Sequence, residues 1–291
     1  MFTSDQYELI DFGDGRRLER FAGWVLDRPC PAAEQSRPML PDEWDRVDAR
    51  FERDTRTDDD EGDGWTLHSE IPETWPLRHG PFQMELRRSP FGHLGVFPEQ
   101  ASNWDWIAEQ VATASGPLKI LNLFAYTGGS TLAAATAGVT AHLEVEVVHV
   151  DSAGNTVARG KRNAELSGLA EAPIRWITED AMKFVRREVK RGNRYDAVIL
   201  DPPSYGHGRR GEAWRATKHL PELLAHCAKL TADRRHFMLL TCHTPDLDEK
   251  RLSAMLRDAV GDRTATITAG PLGIPARCGK TLSCGVFVRL V

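Results

Sequence analysis

Three acids each close an apolar run in this chain: Asp151 in VEVVHVD, Asp180 in IRWITED and Asp201 in DAVILDPP. Ahead of them the run LKILNLF ends in the turn Ala125-Tyr126-Thr127-Gly128-Gly129. Carboxylates at strand ends accept hydrogen bonds from ribose hydroxyls or an exocyclic amine, and glycines let a backbone come close to a ligand. A dinucleotide-binding turn reads G-x-G-x-x-G and seats a pyrophosphate on a helix N-terminus. The turn here lacks that spacing. It suits a ligand with an amino-acid group better than one with a pyrophosphate. A strand-terminal Asp can serve only as a helix N-cap, but three in order argue for a ligand.

A second constellation lies beside the last of these acids. In Asp201-Pro202-Pro203 the prolines fix φ and donate no backbone hydrogen bond. What remains is a rigid surface of one carboxylate and carbonyl oxygens, able to hold a planar N–H group such as a nucleobase or an amide. Tyr205 follows after an intervening Ser204, one residue further on than an aromatic directly behind the prolines, and can still stack on a base. Cys242, closing the run HFMLLTC, is a candidate thiolate nucleophile, with His243 the adjacent basic group. Arg209, Arg210, Arg215 and Lys218 in the following glycine-bearing loop suit phosphate contacts. Direct attack by an exocyclic or amide nitrogen is the competing chemistry.

The elements that must position these residues alternate regularly from Pro98 onward. Apolar strands at LKILNLF, VEVVHVD, IRWITED, DAVILD and HFMLLTC are each followed by a helical pattern. The last pattern, DEKRLSAMLRDAV, is expected to start at Asp246, with Glu249 completing a capping box. Such alternation gives a doubly wound, Rossmann-like α/β fold whose sheet is mostly parallel. TATITAG and LSCGVFVRLV have no helix between them, so an antiparallel hairpin is expected at one end of the sheet. Ligands in such sheets sit beyond the carboxyl ends of the strands.

Residues 1–97 read as a small β-rich domain, with 98–291 as the α/β domain. Hairpins are expected around Gly13-Asp14-Gly15 and Ser89-Pro90-Phe91-Gly92. Between them DEWDRVDARFER places Trp44, Val47 and Phe51 at helical spacing, with Asp42 as N-cap, and 57–64 reads as a loop.

The motifs LNLFAYTGGSTLAAATAG, VDSAGNTVARGKRNAELSGL, EDAMKFV and LDPPSYG resemble class I S-adenosylmethionine-dependent methyltransferases. More narrowly, they resemble the family of bacterial large-subunit ribosomal RNA cytosine methyltransferases. The resemblance covers 98–291 and is more specific for the cofactor than for the acceptor. It implies methyl transfer from S-adenosylmethionine to an RNA base, with a cytosine ring carbon in ribosomal RNA as the expected acceptor. Carried over by position, Phe124, Ala125, Tyr126, Thr127 and Gly128 line the methionine moiety. Asp151 takes the ribose, Asp180 with Ala181 the adenine, and Asp201 the reaction side, with Ser152 also among the cofactor contacts. Gln100 and Asn103, in VFPEQASNW, match a stretch before the core that also touches cofactor. Cys242 matches a T-C-S motif in which His243 stands for the serine. Three alternatives stay open: a nitrogen, small-molecule or protein methyltransferase on the same fold, a nicotinamide-dependent oxidoreductase, and a silent cofactor-binding module.

Composition sets outer bounds. At 291 residues, 41% hydrophobic and 27% charged, the chain has ample length for a core. A net charge of −5 does not announce a nucleic-acid binder in bulk. Basic stretches around Lys183–Arg194 and Arg209–Lys218 are the local exceptions. Five cysteines without a Cys-x-x-Cys suggest neither a disulfide framework nor a zinc site. No run is long and apolar enough for a membrane span, and no secretory signal opens the chain, so the cytoplasm is the expected compartment.

Overall fold

Alternating apolar and polar residues in the first 90 positions build antiparallel sheet, and near-continuous apolar runs after position 117 build parallel sheet. A computed structural model describes residues 1–52, 64–207, 213–262 and 264–291. The expected 57–64 loop, except Gly64, lies outside these residues, as do Arg209 and Arg210. The chain gathers into two units: Met1–Ala101 with Gly273–Cys284, and Ser102–Leu272 with Gly285–Val291.

In the first unit β1 (Tyr7–Gly13), β2 (Arg16–Phe21), β3 (Trp24–Pro29), β4 (Ala49–Phe51) and β5 (Trp65–Leu67) form one sheet in sequence order. The β1–β2 turn places Asp14 and Gly15 at φ 50° and 74°, the left-handed pair that a two-residue hairpin loop demands. The expected helix over DEWDRVDARFER does not form. Only a 3₁₀ turn, Pro41–Glu43, appears, and its N-cap is Leu40 rather than Asp42. Tertiary partners override the helical spacing. Asp48 accepts the Val25 amide and the Ser69 hydroxyl, and β4 pairs with β3 and β5. The second hairpin also differs from expectation. β6 (Thr74–His79) pairs with β7 (Phe82–Arg87) across Gly80-Pro81. The Ser89–Gly92 turn does form, closed by the Gly92 amide on the Ser89 carbonyl at 3.0 Å, but HLGVF after it is not a strand.

Residues 273–284 complete this unit. The Lys280 ammonium donates to the carbonyls of Phe12 and Arg37 at 2.6 and 2.7 Å. It lies 3.7 Å from the buried carboxylate of Asp11, which accepts the Met39 and Leu40 amides and the Trp44 indole. The fully buried Glu19 accepts the Tyr7 hydroxyl at 2.9 Å and pairs with Arg17 and Arg28. Against the cost of burial, the two guanidiniums hold its carboxyl below the usual range.

The second unit is wound from α1 (Ala101–Ala112), β8 (Leu118–Leu123), α2 (Gly129–Ala141), β9 (Val145–Asp151), α3 (Gly154–Leu166), β10 (Ile174–Thr178) and α4 (Ala181–Lys190). There follow β11 (Ala197–Leu200), a short ribbon of β12 (Tyr205–His207) and β13 (Ala213–Arg215), α5 (Ala216–Thr231), β14 (Phe237–Cys242), α6 (Glu249–Val260), β15 (Ile267–Pro275) and β16 (Thr281–Leu290), of which 273–275 and 281–284 count with the first unit. The sheet order is β10-β9-β8-β11-β14-β16-β15. The first five strands are parallel and β16 runs antiparallel to β14. The α/β fold with its β-rich N-terminal region is thus as expected. Helix α6 starts later than expected, because Asp248, not Asp246, accepts the Arg251 amide as N-cap.

Along β8, β9 and β14 alternate side chains face opposite helices. Leu121, Leu123, Val148, Val150, Met238 and Leu240 pack with Phe184, Leu220, Leu224 and Leu256 of α4, α5 and α6. Asn122 and His149 point the other way, to Thr131 of α2. Strand order reverses between β8 and β11, so the tips of these two strands flank the crevice where a doubly wound sheet binds its ligand.

Candidate active site

The turn after β8 is strained. Phe124 and Tyr126 sit at φ 56° and 48°, and Gly128 at 94°. Non-glycine residues pay for that region and persist in it only when their surroundings fix them. Here β9 and α3 do so. The Ala125 amide donates to the Val150 carbonyl at 3.1 Å, the Tyr126 amide to Asp151 Oδ2 at 2.9 Å, and Asn163 to the Thr127 carbonyl at 2.9 Å. Gly129 is glycine for a different reason: a Cβ there would lie 2.4 Å from the Trp104 ring. No side chain caps the N-terminus of α2 at Gly128, so its first-turn amides face the strand tips as donors for an anionic group.

A buried polar chain backs this turn. Asn122 donates to the Thr131 hydroxyl at 2.9 Å, and Thr131 Oγ1 lies 3.0 Å from His149 Nδ1. Burial pushes His149 down to about 3, with the Tyr126 backbone offsetting this in part, so the ring is neutral at physiological pH.

The three expected acids do three different things. Asp151 shapes the turn, taking the Tyr126 amide on one oxygen and the Ala153 amide on the other. Each oxygen keeps a second lone-pair direction for a ligand hydroxyl. Asp180 caps α4 through the Lys183 amide at 2.9 Å, with Ala181 buried behind it. Its neighbour Glu179 is held by both arms of Arg187. Ser152 follows Asp151 at the mouth of α3. Asn103 is buried in α1 with its side-chain carbonyl on Arg289, and Gln100 is buried in the first unit.

Asp201 gathers the reaction corner. Its Oδ1 accepts the Thr241 hydroxyl at 2.5 Å and lies 3.1 Å from His243 Nε2. Pro202 is buried and Pro203 exposed. The Pro203 carbonyl, expected to face an acceptor, takes the Trp214 indole N–H at 2.7 Å. The Trp214 ring packs 5.2 Å from that of Phe124, so one side chain joins the corner to the strained turn. Trp214 gave no signal in the sequence, and the one clue to Thr241 was its alternation with Cys242.

That alternation also decides the cysteine. Thr241 and His243 turn toward Asp201, so Cys242 between them turns into the core against α4, α5 and α6 and is 1% exposed. The structure therefore does not bring the thiol to the corner. Tyr205 is not in the crevice wall either. It is 73% exposed on β12.

A turn that favours an amino-acid group, a ribose-competent acid at the next strand tip and a proline-stiffened carboxylate across the switch point suit an adenosyl sulfonium. Known proteins agree. A family model described as S-adenosylmethionine-dependent methyltransferase matches residues 44–238, more than half of the sequence. The chain belongs to this family. The crystal structure of an S-adenosylmethionine-dependent methyltransferase from Agrobacterium tumefaciens superposes with a TM-score of 0.87 at 36% identity, covering 99% of this chain and 92% of that one. The crystal structure of SMU.776 complexed with S-adenosylhomocysteine shares the fold at a TM-score of 0.75 and 15% identity, over 98% of this chain and 74% of that one. Ribosomal RNA large subunit methyltransferase I of Aeromonas salmonicida is 30% identical over 40% of this chain. Methyltransferase K of Neisseria meningitidis serogroup B is 32% identical over 34% of it. The matches span only 28% and 26% of those two relatives' lengths. Membership of this family sets the nicotinamide alternative aside. Among the described residues no helix is long and apolar enough to cross a membrane.

Proposed function

We propose that this enzyme methylates a nucleobase of RNA, with ribosomal RNA as the source. The observation that carries the reading is the contact between Asp201 and His243 at 3.1 Å, beside a corner that Trp214 ties to the cofactor turn. The names of the ribosomal RNA methyltransferase relatives support the acceptor class. In this reading residues 98–291, less the 273–284 segment that belongs to the first unit, are the catalytic domain and 1–97 an appended domain.

Phe124 to Gly128 and the α2 N-terminus take the methionine end of the cofactor, Asp151 with Ser152 the ribose, and Asp180 with Ala181 the adenine. Asn103 stays in the cofactor set. When bound, S-adenosylmethionine would supply an electrophilic methyl group on a sulfonium that is a neutral thioether once the methyl is gone. Asp201 holds an N–H of the acceptor base and sets its plane against Pro202 and Pro203. A nitrogen lone pair forms the new N–C bond, and the displaced proton passes to the Asp201–His243 pair.

Ring-carbon methylation of cytosine is the second reading, carried by the position of Cys242 at the end of β14. It needs the thiol to reach the base and add to the ring. Burial of Cys242 in the core favours the nitrogen route.

Incubation of the purified protein with methyl-labelled S-adenosylmethionine and total RNA, followed by nucleoside mass spectrometry, tests the acceptor directly. Label in a methylated nucleoside is expected. Label confined to protein or small molecules would overturn the RNA reading while leaving the cofactor intact.

A further inference from the structure

We propose that the β12–β13 ribbon carries a subsite for the RNA strand: Tyr205 stacks on a base flanking the modified one, and Arg215 holds the adjoining phosphate. The inference rests on the RNA reading above and adds the element that grips the strand.

The two faces of the ribbon are chemically distinct. Its register pairs Tyr205 with Arg215 and Gly206 with Trp214. Side chains alternate between faces along a strand. Trp214 is committed inward, with its indole on the Pro203 carbonyl and its ring against Phe124 and His219. Tyr205 and Arg215 therefore share the other face as a direct cross-strand pair, about 5 Å apart at Cβ. Both are exposed, Tyr205 at 73%. The backbone of Arg215 is fixed as well, its amide donating to His219 Nδ1 at 2.9 Å. Lys218, exposed in the first turn of α5, adds a cation on the same stretch.

A single exposed tyrosine needs no explanation. An exposed ring opposite an exposed guanidinium, on a ribbon leaving the Asp-Pro-Pro corner, is more specific. Stacking surface beside a cation is what a single-stranded nucleic acid offers partners for, a base and its phosphate. A ring carbon or amine inside a duplex must be flipped out before it can be methylated. A ring that takes the place of a lost stacking neighbour lowers that cost. The chain carries a net charge of −5, so attraction for a polyanion must be local.

The test is RNA binding by fluorescence anisotropy, with a labelled single-stranded RNA made from the sequence that the unaltered enzyme methylates, and the KM for that RNA. Tyr205→Ala is expected to weaken binding and raise KM about 5- to 100-fold, and Tyr205→Phe to stay near the unaltered protein because the ring persists. Arg215→Ala is expected to lower the slope of log affinity against log salt by about 0.7, the value of one phosphate on a single strand. S-adenosylmethionine affinity should not move in any of them. If the unaltered enzyme methylates RNA and Tyr205→Ala binds it equally well, the subsite falls and the acceptor reading stands. If an acidic peptide displaces the RNA and Tyr205→Phe is as weak as Tyr205→Ala, a protein partner replaces the base. If the unaltered protein binds the cofactor but methylates no RNA, both fall.

Discussion

The imidazole of His243 meets Asp201 through Oδ1, the same carboxylate oxygen that accepts the Thr241 hydroxyl. One oxygen thus fixes both strand-end neighbours and sets the carboxylate plane. Asp201→Asn keeps the shape and removes the charge. It is expected to lower kcat by about 10²- to 10⁴-fold, with cofactor affinity by calorimetry nearly unchanged. His243→Gln should cost less, because Asp201 keeps its charge and its bond from Thr241. Full turnover in Asp201→Asn would remove the pair from the chemistry.

Cys242 separates the two acceptor chemistries. With its thiol in the core, Cys242→Ser is expected to retain methylation within about threefold and to lose about 1–3 kcal/mol of stability from burying a hydroxyl. Abolished turnover in a fully folded variant would reinstate the covalent route and ring-carbon methylation.

Asp151→Asn probes the turn. An amide nitrogen cannot accept the hydrogen bond that a carboxylate oxygen does, so either the Tyr126 or the Ala153 amide would face another donor. The left-handed Tyr126 would then lose part of what holds it. Isothermal titration should show cofactor affinity reduced about 10- to 100-fold, matching a cost of about 1–3 kcal/mol. Undiminished affinity would separate Asp151 from the cofactor.

His149 makes a pH prediction with a definite sign. Its pKa is about 3 in the folded chain against 6.5 for the free group. Below pH 6.5 the unfolded chain takes up a proton that the fold refuses, so stability falls with pH, and this contribution levels off only near pH 3. Between pH 7 and 4.5 the loss from this residue is about 2–3 kcal/mol. Urea midpoints of the parent and His149→Gln should diverge less as pH falls. Parallel pH dependence in the two would show that His149 takes up its proton as readily in the fold as in the unfolded chain.

The legible parts of the fold were those governed by one dominant force. Strands β8, β9 and β11 announced themselves because buried parallel strands are apolar throughout, and their closing residues stood out against that background. The ribbon was invisible for the opposite reason. Three-residue strands have no period to read, so Arg215 and Lys218 read as one loop although β13 ends at Arg215 and α5 starts at Ala216. The Trp44, Val47, Phe51 spacing failed because Asp48 found partners far along the chain. Cys242 was placed on the right strand, and one residue of phase decided which face it joined. The acids at 151, 180 and 201 were found by position, but the sequence did not show that Asp180 spends an oxygen on α4 or that Asp201 shares its own with Thr241 and His243.

Lys280 closes carbonyls at positions 12 and 37, and this has a consequence for the order of events on the ribosome. The first hundred residues emerge with their β-strands but without the cation that neutralises Asp11. Their final consolidation must wait until residue 280 has left the exit tunnel. A fragment cut after residue 97 would lack that closure for good and should melt at a lower temperature than the same residues do in the whole chain.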